Sequence, residues 1–465
     1  MMMYLQSLMD VSAGLSSQLF VRRRRLVAQV SQPILLWAGD RQSRNFRANK
    51  LPFRASSHFL YFAGLPLAGA VLFIDGIQSV LFIDFPTKDN VLWHGESVSP
   101  NQLGEWLGIN QILPTVDLPN YINNAVTIPL VDPLQRSQQS RILGRKLPEP
   151  DQLTGGDRQL AQAIIQLRLC HDEAALTQVQ QAINIAIKAH YRGMGVVGHR
   201  QTEAEVKAAI ESEFCAQQMT CAYTSIVSTQ GEILHNEFSP NLLNSGDLLL
   251  VDAGAETTLG WASDLTRTYP VNGKFSATQR DIYQVILAAH DQAIAALEPN
   301  VEFRDIHHLA TKAIATGLRD LGILRGDLDD LLAENICATF FPHGIGHLMG
   351  LDVHDMEDFG DLAGYAEQRQ RSQKFGECFL RLDRPLQANM VVTIEPGFYQ
   401  IPTLLGDRRQ KEPFKSMINW ERLAQYHDVR GIRIEDDILI TQGVAQNLSQ
   451  TLITQPTDIE NFMNS

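Results

Sequence analysis

No apolar run in this sequence approaches the roughly 18 residues that a membrane-spanning helix needs, and no signal-type apolar core precedes a small-residue cleavage site. A soluble, cytoplasmic protein is therefore expected. Cysteine is scarce: Cys170, Cys215, Cys221, Cys337 and Cys378 are odd in number, scattered and without paired metal-type spacing. That argues against a disulfide scaffold or a cysteine-held zinc, and free buried thiols in a reducing compartment are expected. Basic charge is short as well. With 39 Lys and Arg against 52 Asp and Glu, the formal charge is -13, the wrong sign for a phosphate-binding surface. Neither nucleic acid nor a membrane is expected as a partner. The one basic run, Arg22 to Arg25, sits between apolar stretches and reads as the solvated face of a first helix rather than an import signal.

Low-complexity tracts and short repeats are also missing. The apolar fraction of 44% and charged fraction of 20% belong to an ordinary globular chain, and 465 residues exceed what one core usually organises. Two domains are expected. Residues 1–155 read as an α/β unit, in which 70–75 (AVLFID) and 80–85 (VLFIDF), separated by Gly76, predict strand, turn, strand. The segment Arg136–Asp157, with two prolines and Gly155-Gly156, is the linker candidate. From Asp157 the apolar spacing turns helical, resumes from Glu173 past Ala189, and a further helix starts at Thr202, which forms a capping-box pattern with Glu205. Strand-like runs then follow at 247–253, 390–395 and 431–440, so the second domain, 156–465, is also mixed α and β.

Those runs carry the chemistry. The apolar strand Leu248–Val251 ends on Asp252, and Asp264 follows in WASDLTRTYP after a turn at Thr257–Gly260. A hairpin of that length places the two carboxylates side by side, where they repel unless a proton or a cation is shared. On this pair alone, a capped turn with an ion pair to Arg267 explains them equally well. In FFPHGIGHLMGLDVHD, His343 and His347 have i, i+4 spacing, but Gly344 stands where a helical zinc motif has Glu, and Gly344 and Gly346 weaken a helix. A zincin is thereby rejected, while three histidines in twelve residues (His343, His347, His354) still point to coordination or proton transfer. Val391, Thr393 and Glu395 share one face of a strand that Pro396 stops, and Arg433 and Glu435 share a face between Ile432 and Ile434. Four carboxylates and one imidazole would be balanced by two divalent ions, and the oxygen-rich set suits Mn²⁺, with Co²⁺ and Zn²⁺ as alternatives. A dinuclear site can activate a water and polarise a carbonyl, so hydrolysis is the expected reaction class.

These motifs resemble the pita-bread peptidases, the family of methionine aminopeptidase, aminopeptidase P and prolidase. The likeness runs through ILH at 233–235, VDAG at 251–254, SDLTRT at 263–268, HGIGHLMGLDVHD at 343–355, TIEPG at 393–397 and GIRIEDD at 431–437. LPFRASSHFLYFAG, residues 51–64, resembles the aminopeptidase P amino-terminal domain, which methionine aminopeptidases lack. The resemblance implies an α/β (α+β) chain with a small creatinase/aminopeptidase P-like domain at 1–155 and a pita-bread catalytic domain at 156–465. It implies an Xaa-Pro aminopeptidase acting through a dinuclear-metal-activated hydroxide on peptides with proline second. Asp252, Asp264, His347, Glu395 and Glu435 would hold the metals, with Asp264 and Glu435 bridging. Glu395 would accept the proton of the attacking water. His235, His343 and His354 would line the pocket, with His354 facing the oxyanion, and Arg433 would orient the bridging glutamate. A homodimer or homotetramer is implied.

The chain departs from the family in two places. The Asp252–Asp264 interval is one residue longer than usual, and insertions between His354, Glu395 and Glu435 look prolidase-like. Arg381 lies where prolidases grip the proline carboxylate. An Xaa-Pro dipeptidase is therefore the alternative, with a pairing of Arg381 to Asp383 as the plain explanation of that arginine. An inactive binding module of the same fold and a metal-independent creatinase-type hydrolase are disfavoured because all five ligands are present.

Overall fold

A computed structural model describes residues 14–86, 91–93, 95–96, 98–406 and 414–465. Contacts divide the chain into Met1–Ala174 with two short excursions, Thr258–Gly260 and Met356–Ala363, and a second unit made of the rest. No helix among the described residues is long and apolar enough to cross a membrane.

The first unit is built on a mixed sheet of order β4-β3-β2-β1-β5, with β1 at Ile34–Trp37, β2 at Val71–Asp75, β3 at Gln78–Phe82, β4 at Gln111–Leu113 and β5 at Val126–Thr127. The β2–β3 hairpin turns at Gly76, whose φ of 56° is the left-handed conformation that glycine adopts without strain. Leu35, Trp37, Val71, Phe73, Val80 and Phe82 form one buried cluster of this sheet, and Tyr121 meets Phe73 and Phe82 edge to face. Helix α1, Leu15–Val27, carries the basic run, and here the expected solvated face is only half right. Arg22 and Arg23 are buried: Arg22 pairs with Asp172 at 2.8 Å, and Arg23 donates to the carbonyls of Phe62, Leu107 and Gly108. Guanidinium donors there satisfy carbonyls left over at helix ends. The motif at 51–64 forms α2, Ser57–Ala63. His58 within it lies 2.9 Å from both Arg168 and Asp358, all three within this unit.

The linker candidate is largely structured, contrary to its composition. Helix α3 spans Pro133–Leu143, because Asp132 caps it and Pro133 occupies its first turn. Helix α4, Gly155–Arg168, is counted by its contacts with the first unit.

The second unit begins with the long helix α5, Glu173–Val196, and α6, Glu203–Ala216, whose capping box between Thr202 and Glu205 is formed as the sequence indicates. Strands β6, Ile226–Ser228, β7, Leu248–Asp252, and β8, Thr266–Pro270, make an antiparallel sheet with β7 in the centre. Strand β9, Val391–Ile394, pairs with β12, Asp436–Leu439, while β10, Gly397–Tyr399, pairs with β11, Gly431–Arg433. The run 431–440 is thus two strands in two sheets, with Ile434 and Glu435 at the crossing. A bridge from Thr266 to Glu435 ties that crossing to β8. Of the five cysteines, Cys337 alone is buried; Cys215 is exposed and the rest are half-buried.

Candidate metal centre

Strand β7 delivers Asp252 at its end, and the register of the hairpin then decides where Asp264 goes. Ala253 N–H donates to the Leu265 carbonyl at 3.0 Å. A Cβ at Gly254 would fall 1.8 Å from the Ser263 carbonyl oxygen, so glycine is required for the two strands to approach this closely. The result brings both carboxylates to one hydroxyl: Tyr223 Oη lies 2.5 Å from Asp252 Oδ1 and 2.6 Å from Asp264 Oδ1. Arg267 is not their partner. It is buried on the other side of β8, 2.7 Å from Asp436, which removes the ion-pair explanation of the aspartates.

His347 and Glu395 are placed together by backbone pairing. The Thr393 N–H donates to the His347 carbonyl at 3.0 Å and the Glu395 N–H to that of Ile345 at 2.8 Å. A Cβ at Gly346 would meet Thr393 O at 1.9 Å, so this glycine of HGIGH serves a close strand approach, not a helix. His347 Nδ1 lies 3.0 Å from the Leu348 carbonyl. A carbonyl only accepts, so Nδ1 carries the hydrogen and Nε2 turns its lone pair to the carboxylates. Nε2 is 3.4 Å from Asp264 and 3.7 Å from Glu395. Glu435 completes the set, its Oε2 accepting from the Thr266 hydroxyl at 2.7 Å.

Among the described residues, three groups have potential ligand atoms within 4.8 Å of one another: Asp252, Asp264 and Glu435; His347, Glu395 and Glu435; and Asp264, His347 and His354. All five residues expected as ligands are brought together, with Asp264, His347 and Glu435 each in two groups. His354, expected in the pocket wall, stands close enough to belong to the third group, its ring 4.3 Å from that of His347. His343 sits beside them, 3.6 Å from Glu395 and 2.9 Å from the Tyr399 hydroxyl. His235 is exposed at the cavity rim. Arg433 reaches Asp252 directly and Glu435 only through Thr266, whose hydroxyl accepts from its Nε at 3.1 Å.

The electrostatics fit cations. Burial, then the Asp252 charge, push Asp264 up to about 7. Burial and the neighbouring carboxylates push Glu395 up to about 7 despite His347 and Arg433, and hold Glu435 well above the carboxylate range. Three buried acids and the half-buried Glu395, served among the described residues by one buried arginine, are under-compensated, and divalent ions are what such an oxygen-rich set accepts. Burial, with Arg433 next, drives His343 down to about 3, so its ring is neutral.

Sequence patterns gave no role to Tyr223, Thr266, Tyr399 or Asp437. Tyr399 bridges His343 and Arg433, and Asp437 accepts the Asp264 N–H at 3.0 Å. The second aspartate of GIRIEDD carried a signal for Asp437; the others are placed by contacts between distant strands. The cluster lines a cavity of about 720 Å³ whose other walls include Leu234, Phe375, Phe379, Ile401 and Arg381. Asp383 pairs with Arg304 and Arg369.

Comparison with known proteins points to the same family over both halves of the chain. Residues 20–128 match the description "Aminopeptidase P, N-terminal domain", and 177–442 match "Metallopeptidase family M24". A Sordaria macrospora protein named "Probable Xaa-Pro aminopeptidase" is 32% identical over 88% of this chain and 86% of its own length. The solved structure of proline aminopeptidase P II from Yersinia pestis superposes with a TM-score of 0.78 at 28% identity, covering 97% of this chain and 99% of that one. A zinc-substituted Escherichia coli aminopeptidase P in complex with product gives the same TM-score and identity over 97% and 98%. Sequence, fold and the clustered carboxylates and imidazoles agree, and the chain belongs to metallopeptidase family M24.

Proposed function

We propose that this chain is an Xaa-Pro aminopeptidase, removing the N-terminal residue from peptides whose second residue is proline. The observation that carries the reading is the convergence of four carboxylates and His347 at one cavity, in a chain whose similarity to aminopeptidases P extends over both halves. Asp252, Asp264, His347, Glu395 and Glu435 would hold two divalent ions, and the donor set favours Mn²⁺. Such ions lower the pKa of water and polarise a carbonyl. Glu395 accepts the proton of the attacking water, a role suited to a carboxylate that is part-accessible from the cavity and raised to about 7 before any cation is counted. His354 donates a hydrogen bond to the oxygen that gains charge as the carbonyl carbon becomes tetrahedral. His343, kept neutral, and His235 line the path of the substrate. Arg433 fixes the Asp252 carboxylate and, through Thr266, that of Glu435.

We further propose a cytoplasmic homodimer or homotetramer with the domain boundary near 155/156. Arg381 in the cavity wall supports a second reading, an Xaa-Pro dipeptidase whose substrate ends on the proline carboxylate. The deciding assay offers Xaa-Pro-Yaa and Xaa-Pro peptides to the purified full chain with Mn²⁺ and after chelation. Cleavage of the tripeptide before proline, abolished by the chelator and restored by Mn²⁺ or Co²⁺, is expected. Full activity in protein shown by elemental analysis to be metal-free would overturn the reading.

A further inference from the structure

Helix α5 passes close beneath the strands that carry the aspartates. A Cβ at Gly193 would come within 2.9 Å of the Tyr269 hydroxyl on β8, so glycine permits the approach. Three residues earlier on the helix, His190 is fully buried, and its Nε2 lies 3.1 Å from the Ala253 carbonyl oxygen. Because that oxygen can only accept, Nε2 carries the ring hydrogen. Among the described residues Nδ1 has no hydrogen-bond partner. Burial, with Arg267 next, lowers the ring to about 4, so it is neutral, and the Leu265 carbonyl faces it as well.

The place of this ring in the hairpin gives it a task. Ala253 follows Asp252, Leu265 follows Asp264, and the Ala253 N–H to Leu265 carbonyl bond is the rung that joins the two strands just behind the aspartates. An apolar side chain would fill the same space without leaving a buried nitrogen unsatisfied, which costs free energy. The imidazole is retained against that cost, and what it supplies is one N–H aimed at the rung.

We propose that His190 is a positioning residue for the metal site: by holding the Ala253 carbonyl it fixes the separation of Asp252 and Asp264, and with it the site's affinity for divalent cations. The inference rests on the reading of those aspartates as ligands. Loss of a hydrogen bond that orients a ligating side chain commonly weakens metal binding by about 10- to 100-fold, and the bond to Ala253, one residue past Asp252, is placed at the lower end of that range.

The test uses full-length protein, stripped by chelator and titrated with Co²⁺, reading the visible absorption of the bound ion together with the denaturation midpoint of the metal-free chain. His190→Leu is expected to weaken Co²⁺ binding by about tenfold or more and to alter the spectrum, whereas His190→Gln, whose amide N–H can reach the carbonyl, stays within about threefold of the parent. Should the leucine variant fail to fold, His190→Asn replaces it, since its shorter amide does not reach; it is expected to bind as weakly as the leucine variant. Equal affinities and spectra for parent, Gln and Leu or Asn variants overturn the inference alone. A parent chain that takes up no Co²⁺ overturns the metal site itself.

Discussion

Glu435 and Asp436 are neighbours in the chain and both are buried, at 2% and 1% exposure, yet they belong to opposite electrostatic regions. Asp436 faces away from the cavity. Arg267 and Ser449 each donate to its Oδ1 at 2.7 Å, Asn447 donates to Oδ2 at 2.9 Å, and His290 lies 3.1 Å away. Burial works against its charge, but these partners hold it well below the usual carboxylate range. Glu435 faces the cluster, where burial, Asp264 and Glu395 act together and drive it the other way. A buried carboxylate matched by protein donors is structural scaffolding. One gathered with others of its own sign needs an ion from outside.

The comparison breaks most visibly through Asp436. Asp436→Ala leaves Arg267, buried at 0% exposure, without the carboxylate that balances its charge, and a loss of about 3–5 kcal/mol in chemical denaturation is expected. Glu435→Gln in chelated protein relieves repulsion instead, so its stability should equal or exceed that of the chelated parent. If Glu435→Gln destabilised the chelated chain as much as Asp436→Ala, the division into scaffold and site would be wrong.

A smaller effect separates ligand from pocket at His354, which the third cluster places with Asp264 and His347. Acting on the developing oxyanion, His354→Ala should lower kcat by about 100- to 1,000-fold while two metals per chain remain bound. Elemental analysis showing one metal fewer, with activity per metal little changed, would make His354 a ligand.

Acidity distinguishes the two regions more gently. Asp264 and Glu395, both raised to about 7, bind more protons in the native metal-free chain than when unfolded. Linkage then makes chelated protein lose stability as pH rises from the ordinary carboxylate range near 4 through 7. Saturating metal displaces those protons and should remove the slope between pH 5 and 8. Asp436 has the opposite sign, its contribution being lost only as pH falls below that range. A chelated chain whose denaturation midpoint rises from pH 5 to 8 more than that of the metal-loaded chain would contradict these shifts.

How much of this was legible in the sequence follows from how local each cause is. Asp252 at the end of an apolar strand, the glycines of HGIGH and the alternation around Glu395 are local features, and the strands formed where they indicated. The balancing partners were not legible. Arg267 meets Asp436 across 169 residues and Tyr223 meets Asp264 across 41, and neither spacing has a pattern. The same holds for Arg22 and Arg23, whose neighbours suggested solvent although carbonyls of distant segments enclose them. Composition misled at 136–143, the start of the linker candidate, where Gln, Ser and Arg continue a helix that Asp132-Pro133 begins.

Arg381 belongs to neither region: it lines the cavity. A planar guanidinium in such a wall suits a bidentate grip on a free carboxylate. In a dipeptidase that carboxylate belongs to the proline of the substrate, and a following residue would displace it. In an aminopeptidase the peptide continues past proline, and Arg381 has no carboxylate there to hold. The aminopeptidase reading therefore predicts that Xaa-Pro-Yaa is cleaved with kcat/KM at least comparable to that of Xaa-Pro. It also predicts that Arg381→Ala changes tripeptide kcat/KM by no more than about twofold, the smallest effect expected of any substitution considered. A preference of about tenfold or more for the dipeptide, erased by Arg381→Ala, would place at least 1.4 kcal/mol of transition-state binding on this guanidinium and make the enzyme a prolidase.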